Sequence, residues 1–365
     1  MIGRRRGRRA EGGAEPGRPH PQLPTATPTT VPDTAALLRA DEPVAAWVAE
    51  LTEAEAGADA RVEVGLPAGD RLAAVLLDLS VPHEDVNELL STRSALLADP
   101  VLRELFERAV RVLVADLGTP TRRRPVPPLP AAAGGAGRWF HVYVYVAALP
   151  HVLAHHRALG IPPEVSRRTL ADLGRHLALH RRRHGSGGLS ARHWPGYHFR
   201  GELYQLGRLQ FQRSTMRDRA AASATAFGLD HGPDDPALEL HIPDFLGPMS
   251  PAACDESLDL ARAFFPRHYP EERYAVAVCG SWLLDPQLRE YLPPESNIIR
   301  FQRRFHLYSD PTGPRPEDTA PIGFVFGDPG LPVPSLPRDT SLQRAIGDHL
   351  RAGRHWHVRT GWFEL

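Results

Sequence analysis

The sequence predicts a mixed α+β and α/β chain, in which an N-terminal all-helical domain precedes a mixed central sheet flanked by helices. Three observations carry this expectation. Apolar residues recur at helical spacing through the first half. Ala237–Pro286 reads as strand, helix, strand. Short apolar runs divided by Pro and Gly follow it. At 365 residues the chain is long enough for two domains, each with its own core. Lys+Arg and Asp+Glu both number 43, so no net charge draws it to nucleic acid or an anionic membrane.

Residues 1–32 are rich in Arg, Gly, Pro and Thr without hydrophobic periodicity, the composition of a disordered tail. A nucleic-acid-binding arm is the alternative, but it lacks interleaved aromatics and a second basic patch. The helical domain is expected over 33–197. Leu37, Leu38, Val44, Trp47, Val48 and Leu51 line one face, and Leu72, Val75, Leu76 and Leu79 another. Asp99-Pro100 is an N-cap followed by proline in the first turn, and Leu102, Leu105, Phe106, Ala109, Val110, Leu113 and Leu117 then keep a 3.6-residue period. Thr119–Gly137 reads as a Pro-, Ala- and Gly-rich loop. Trp139–Val146 alternates like a strand, but its apolar pattern persists through Val152 and Leu153, which favours a helix kinked at Pro150. Pro162-Pro163 opens another helix, and His193–Tyr197 reads as a turn.

The sheet domain is expected over 198–365. Arg208–Gln212 alternates as a strand, and a polar segment to Asp235 is expected to hold a variable strand and loop. Leu238–Ile242 is the central strand. Ser250 and Pro251 suit the N-cap and first position of a helix running to about His268. Tyr274–Leu284 is almost continuously apolar, as suits a strand buried on both faces and parallel to the first. A short helix over Asp285–Leu292, strands at Asn297–Tyr308 and Ile322–Phe326, a capped helix over Thr340–Ala352 and a closing strand at His355–Phe363 complete the reading.

GELYQLGRLQFQ (201–212), HIPDFLGPMSPAACDESLDLARAFFP (241–266) and VCGSWLLDPQLREYLPPESNIIRFQRRF (278–305), in that order, resemble the acyltransferase family with a helical N-acyltransferase N-terminal domain and a GNAT-like C-terminal domain. The resemblance covers Gly201–Leu365 closely and the helical half loosely. It implies an enzyme that acylates an amine from acyl-CoA or acetyl-CoA by direct attack, with pantetheine between two splayed strands flanked here by Glu239–Pro243 and Val278–Trp282. It assigns His241, Ile242, Pro243, Gly247, Pro248, Met249, Ser250 and Ser281 to the cofactor. The superfamily's pyrophosphate loop is Gln or Arg, two residues, Gly, one residue, then Gly or Ala. Phe245–Ser250 departs from it, with one glycine and with Pro248 lacking an N–H. The anion then falls to the amides of Met249, Ser250 and the helix start, plus an arginine. Met249 is expected to be exposed. In the superfamily a tyrosine after the second strand protonates the leaving thiolate, and Tyr291 is the nearest match. Glu202 and Glu239 are the candidate bases.

Other chemistries are narrowed by composition. The chain has no lysine, which excludes Schiff-base catalysis. Its two cysteines, Cys254 and Cys279, support no disulfide framework, and together with the absence of a signal peptide or a span of ~20 apolar residues this points to a cytoplasmic protein. Cys279 is read as packing, with a nucleophile paired to His241 as the alternative. His176, His180 and His184 share a helix face at metal-ligand spacing. Beside Arg181–Arg183 and without a suitably spaced carboxylate, they read as a solvated helix end, so no metal is expected. The competing class is a non-catalytic acyl-CoA or small-ligand binding module. The expected partner is a small-molecule amine, with no nucleic acid and no membrane; oligomeric state is open.

Overall fold

Asp99 shows how locally the helical half is specified. Its carboxylate accepts from the backbone N–H groups of Val101 and Leu102, at 2.9 and 3.0 Å, and Pro100 fixes the first turn behind it. The computed structural model describes residues 33–57, 62–120, 126–308, 313 and 316–365. The tail expected over 1–32 lies outside them, as does part of the loop after Thr119. Nine helices among the described residues build this half: α1 (Thr34–Ala40), α2 (Glu42–Glu55), α3 (Gly69–Asp78), α4 (His83–Ala98), α5 (Pro100–Ala115), α6 (Gly134–Ala158), α7 (Pro163–Leu170), α8 (Asp172–His184) and α9 (Trp194–Phe199).

Helix α6 is the axis of this half, packed by α4, α5 and α9. Every residue from Trp139 to Leu149 is buried, so the strand-like alternation belongs to a helix that is apolar all round. Pro150 stays inside the helix, on an exposed position. The helix begins at Gly134, shortening the expected loop, and the expected turn at His193–Tyr197 is mostly the start of α9.

Strands β1 (Leu203–Leu206) and β2 (Leu209–Thr215) form a hairpin closed by Gly207 and Arg208. Gly207 has φ +64°, and a Cβ there would lie 2.7 Å from Ser257 Oγ. That hydroxyl accepts from the backbone N–H groups of Arg208 and Leu209, docking the hairpin on the crossover helix. Then come α10 (Asp218–Ala226), β3 (Pro236–His241), α11 (Pro251–His268), β4 (Val276–Ser281), α12 (Asn297–Gln302), β5 (His306–Tyr308), α13 (Thr319–Phe326), α14 (Ser341–Arg351) and β6 (Arg359–Glu364). The sheet order is β1-β2-β3-β4-β6-β5, with β3 and β4 parallel and every other pair antiparallel.

Several expectations are corrected. The segment after Arg217 holds α10, not a strand. Asn297–Tyr308 is a helix followed by a three-residue strand: Ser296 caps α12, which buries Ile299, Phe301 and Gln302. Ile322–Phe326 belongs to α13, with Pro321 near its start and Gly327 at φ +84° ending it. An apolar run this short satisfies either period, and its Pro and Gly punctuation is helical. Among the described residues no helix is long and apolar enough to cross a membrane.

Candidate active site

The parallel pair is where the sheet fails to close. β3 and β4 are in register only at Leu238↔Ala277 and Glu239↔Val278. β3 continues with β2 as far as Gln210↔His241, and β4 with β6 as far as Ser281↔Arg359. The inner edges of Leu240–His241 and Cys279–Ser281 therefore face a gap instead of each other. A cleft of about 830 Å³ fills it, walled also by α8, α9 and α13. Ligand sites typically measure about 300–1,000 Å³. A cavity inside the helical half, against Trp47, Val144 and Tyr197, holds only about 80 Å³.

His241 sits on the inner edge of β3, within the cleft lining. Trp194 meets its ring edge-on at 4.9 Å. His241 Nε2 lies 2.9 Å from Gln212 Oε1, while Gln212 Nε2 lies 3.5 Å from Glu202 Oε2. An amide nitrogen facing a carboxylate leaves its oxygen facing the imidazole. Nε2 of His241 then carries the proton and Nδ1 keeps the lone pair, an assignment made from the hydrogen-bond network. Arg200 Nε holds Glu202 in turn, at 2.5 Å. Burial lowers the His241 pKa, opposed by the Glu239 and Asp172 carboxylates. The ring is thus biased towards the neutral form that a base requires.

A second cluster centres on Asp172, at the start of α8 and fully buried. Its Oδ1 accepts from Arg175 Nη2 and from Gln210 Nε2, both at 3.1 Å. Its Oδ2 lies 3.1 Å from His176 Nε2 and 3.5 Å from His198 Nε2, close to both imidazoles but poorly aligned for hydrogen bonds. Burial alone would raise this carboxyl; the imidazoles of His198 and His176 and the Arg175 guanidinium outweigh it and hold it well below the usual range. Burial also brings His198 down to about 4.

The loop from β3 to α11 closes one end of the cleft with Pro243, Asp244 and Phe245. Ser250 caps α11, its Oγ accepting from Ala253 N at 3.2 Å, and Gly247 takes φ +75°. Beneath the loop Arg208 Nε donates to the Gly247 carbonyl at 2.9 Å, while its buried Nη1 has no protein partner. Unpaired amides, the positive end of an 18-residue helix and a guanidinium with a spare donor suit an anion.

The model of the N-acyltransferase N-terminal domain matches residues 70–201, and that of the GNAT-like C-terminal domain matches residues 203–363. An acyltransferase solved in complex with decanoyl-CoA and teicoplanin is 42% identical at TM-score 0.80, over 91% of this chain and 99% of its own. The chain belongs to this acyltransferase family. An acyltransferase in complex with CoA and 10C-teicoplanin is 41% identical at TM-score 0.80 over the same shares. Another, with decanoyl-CoA, is 38% identical at TM-score 0.81, over 92% and 99%. No match is found among curated proteins.

The acyltransferase gathers some of the residues expected from its sequence and separates others. His241, Ile242, Pro243 and Ser281 line the cleft. Gly247 and Pro248 are exposed on the loop, but Met249 is buried in the core under it, contrary to expectation. Met249 belongs to the apolar cluster that contains residues of both the sheet and α11. Tyr291 lies outside the cleft lining, its hydroxyl 3.0 Å from His349 Nδ1. Glu202 is buried behind Gln212. Glu239 lines a separate opening of about 480 Å³ with Arg217, Tyr308 and Thr360. Cys279 is buried, and burial pushes its thiol up, against a thiolate role. Asp172, Trp194, Gln210 and Gln212 escaped the sequence reading. The two glutamines were the available signal, as polar residues alternating with Leu209 and Phe211 on a strand. Asp172, one turn before His176, places a carboxylate beside that stripe, contrary to expectation. Even so, no group of three or more His, Cys, Asp or Glu among the described residues could hold a metal.

Proposed function

We propose that this acyltransferase moves an acyl group from an acyl-CoA thioester to an amine by direct attack in the β3–β4 cleft. The observation that carries the reading is the open pair of strand edges, since extended pantetheine amides can bond there as an added strand. Arg208, the Met249 and Ser250 amides and the start of α11 would hold the phosphates. Solved relatives in complex with octanoyl-CoA and decanoyl-CoA support the donor class, and those holding teicoplanin support a discrete small-molecule acceptor. Residues 33–197 and 198–365 are read as the two domains, with α8 and the start of α9 from the first covering the cleft of the second.

Bound acyl-CoA would supply the activated carbonyl. The protein's task is to present a neutral amine and take its proton. His241 Nδ1 is the group for this, with Gln212 and Glu202 fixing its tautomer and Trp194 its ring plane. Free backbone amides along the strand edges are available for the charge that develops on the carbonyl oxygen. Tyr291, engaged with His349, has no part in this scheme.

The test is incubation of the purified protein with decanoyl-CoA and an amine panel that includes amine-bearing glycopeptides of the teicoplanin class. Free thiol release is followed together with acceptor mass. Amine-dependent thiol release with a gain of one acyl mass is expected. Donor binding without turnover across the panel would favour the ligand-binding module, and absence of donor binding would remove the reading.

A further inference from the structure

We propose that Arg175 is a positioning residue that locks the phosphate-side loop to the carboxylate cluster beside His241. The proposal rests on the reading of the cleft as an acyl-CoA site. Arg175 has two kinds of partner, a carboxylate and an aromatic ring. Its Nε and Nη2 lie 3.2 and 3.1 Å from Asp172 Oδ1, and Nη2 also donates to the Arg168 carbonyl at 3.1 Å. The guanidinium lies over the ring of Phe245, 4.1 Å from Cζ to the centroid.

Phe245 belongs to the β3–α11 loop and is 38% exposed, with Leu246 beside it 37% exposed. An aromatic ring in that position is held by what stacks on it. A second tie runs parallel, since Arg182 Nη2 is 3.6 Å from Asp244 Oδ2. Arg175 and Arg182 are seven residues apart on α8, on one stripe of the helix, and that stripe faces the loop.

The other end of the link reaches the reacting face. Asp172 Oδ1, which Arg175 holds, also accepts from Gln210 Nε2, and Gln210 is the cross-strand partner of His241. The contacts therefore run Phe245, Arg175, Asp172, Gln210 to the strand position of His241. Seating the loop on a donor's phosphates fixes Phe245, and through Arg175 it fixes the helix that covers the acceptor side. Lysine cannot replace this arrangement, because a single ammonium lacks the several nitrogens that reach Asp172 and the Arg168 carbonyl while Cζ stays over the ring.

A double-mutant cycle read by calorimetric titration with decanoyl-CoA tests the link, using wild type, Phe245→Ala, Arg175→Met and the pair. Each single change is expected to weaken donor binding by roughly three- to tenfold, the scale of a partly desolvated cation–π contact. The pair should be no weaker than the worse single variant. Arg175→Lys should recover only part of the affinity and provides a second cycle if the Met variant does not fold. Phe245→Ala losing the same factor in both backgrounds, or losing nothing, would overturn the proposal, because an Arg175 that only stabilised α8 would not couple to the loop. Wild type that fails to bind decanoyl-CoA would instead remove the acyl-CoA reading itself.

Discussion

At the scale of single residues the proposed site turns on an imidazole whose two nitrogens differ in their partners. Glu202 was a candidate base by its place in the sequence. The fold buries it and uses it one amide away, orienting Gln212 and through it His241. His241→Ala is expected to lower kcat/KM by about 10²–10⁴-fold, the usual yield of general base catalysis, while leaving donor affinity largely unchanged. The pH profile supplies an independent check. A base works deprotonated, so activity falls as pH drops through its pKa in the free enzyme. Because burial lowers His241, the acid limb of kcat/KM should lie below the ordinary imidazole value of about 6.5. A limb above that value would show that the neighbouring carboxylates, not burial, control the ring.

At the scale of elements, the proposed site places donor binding on the loop and helix after β3. Glutamate at Met249 would bury a carboxylate in the core, so it cannot probe the phosphates. Pro248 is exposed on the same loop, and Pro248→Glu places a negative charge there without that cost. Decanoyl-CoA binding should weaken by roughly 1–3 kcal/mol, the scale of an opposed charged hydrogen bond, with the melting temperature nearly unchanged. Unaltered affinity by calorimetry would take the loop out of the site. Legibility followed the same division between local and distant causes. The starts of α5 and α11 could be read because Asp99-Pro100 and Ser250-Pro251 carry their capping partners within three residues. The splay between β3 and β4 was only implied by the family resemblance. α12 and α13 stand where the sequence predicts strands, since six or eight apolar-rich residues satisfy both periods and their packing against distant residues decides. The Asp172 cluster was invisible for the same reason, being assembled from α8, α9 and β2.

At the scale of the whole molecule, the helical half carries an acid sensitivity of its own. His141 and His156 are buried, bonded to the Pro127 carbonyl and to Ser166 Oγ, and burial brings both down to about 4. Their unfolded value is about 6.5, so the unfolded chain binds the extra protons. The stability they contribute is complete above that value and is lost as pH falls towards 4. Each should remove about 2 kcal/mol between pH 7.5 and pH 5, before most carboxylates titrate. A melting temperature unchanged over that interval would contradict this. The sheet has a mechanical consequence of its own. Joined at two residue pairs and a helical crossover, β1-β2-β3 and β4-β6-β5 are two three-stranded blades on a short hinge. A molecule lying along both inner edges acts as the clasp that sets the angle between them. Its grip will then depend on how stiffly it holds the blades as much as on how many bonds it makes, and a change anywhere that leans on either blade will be felt at the clasp.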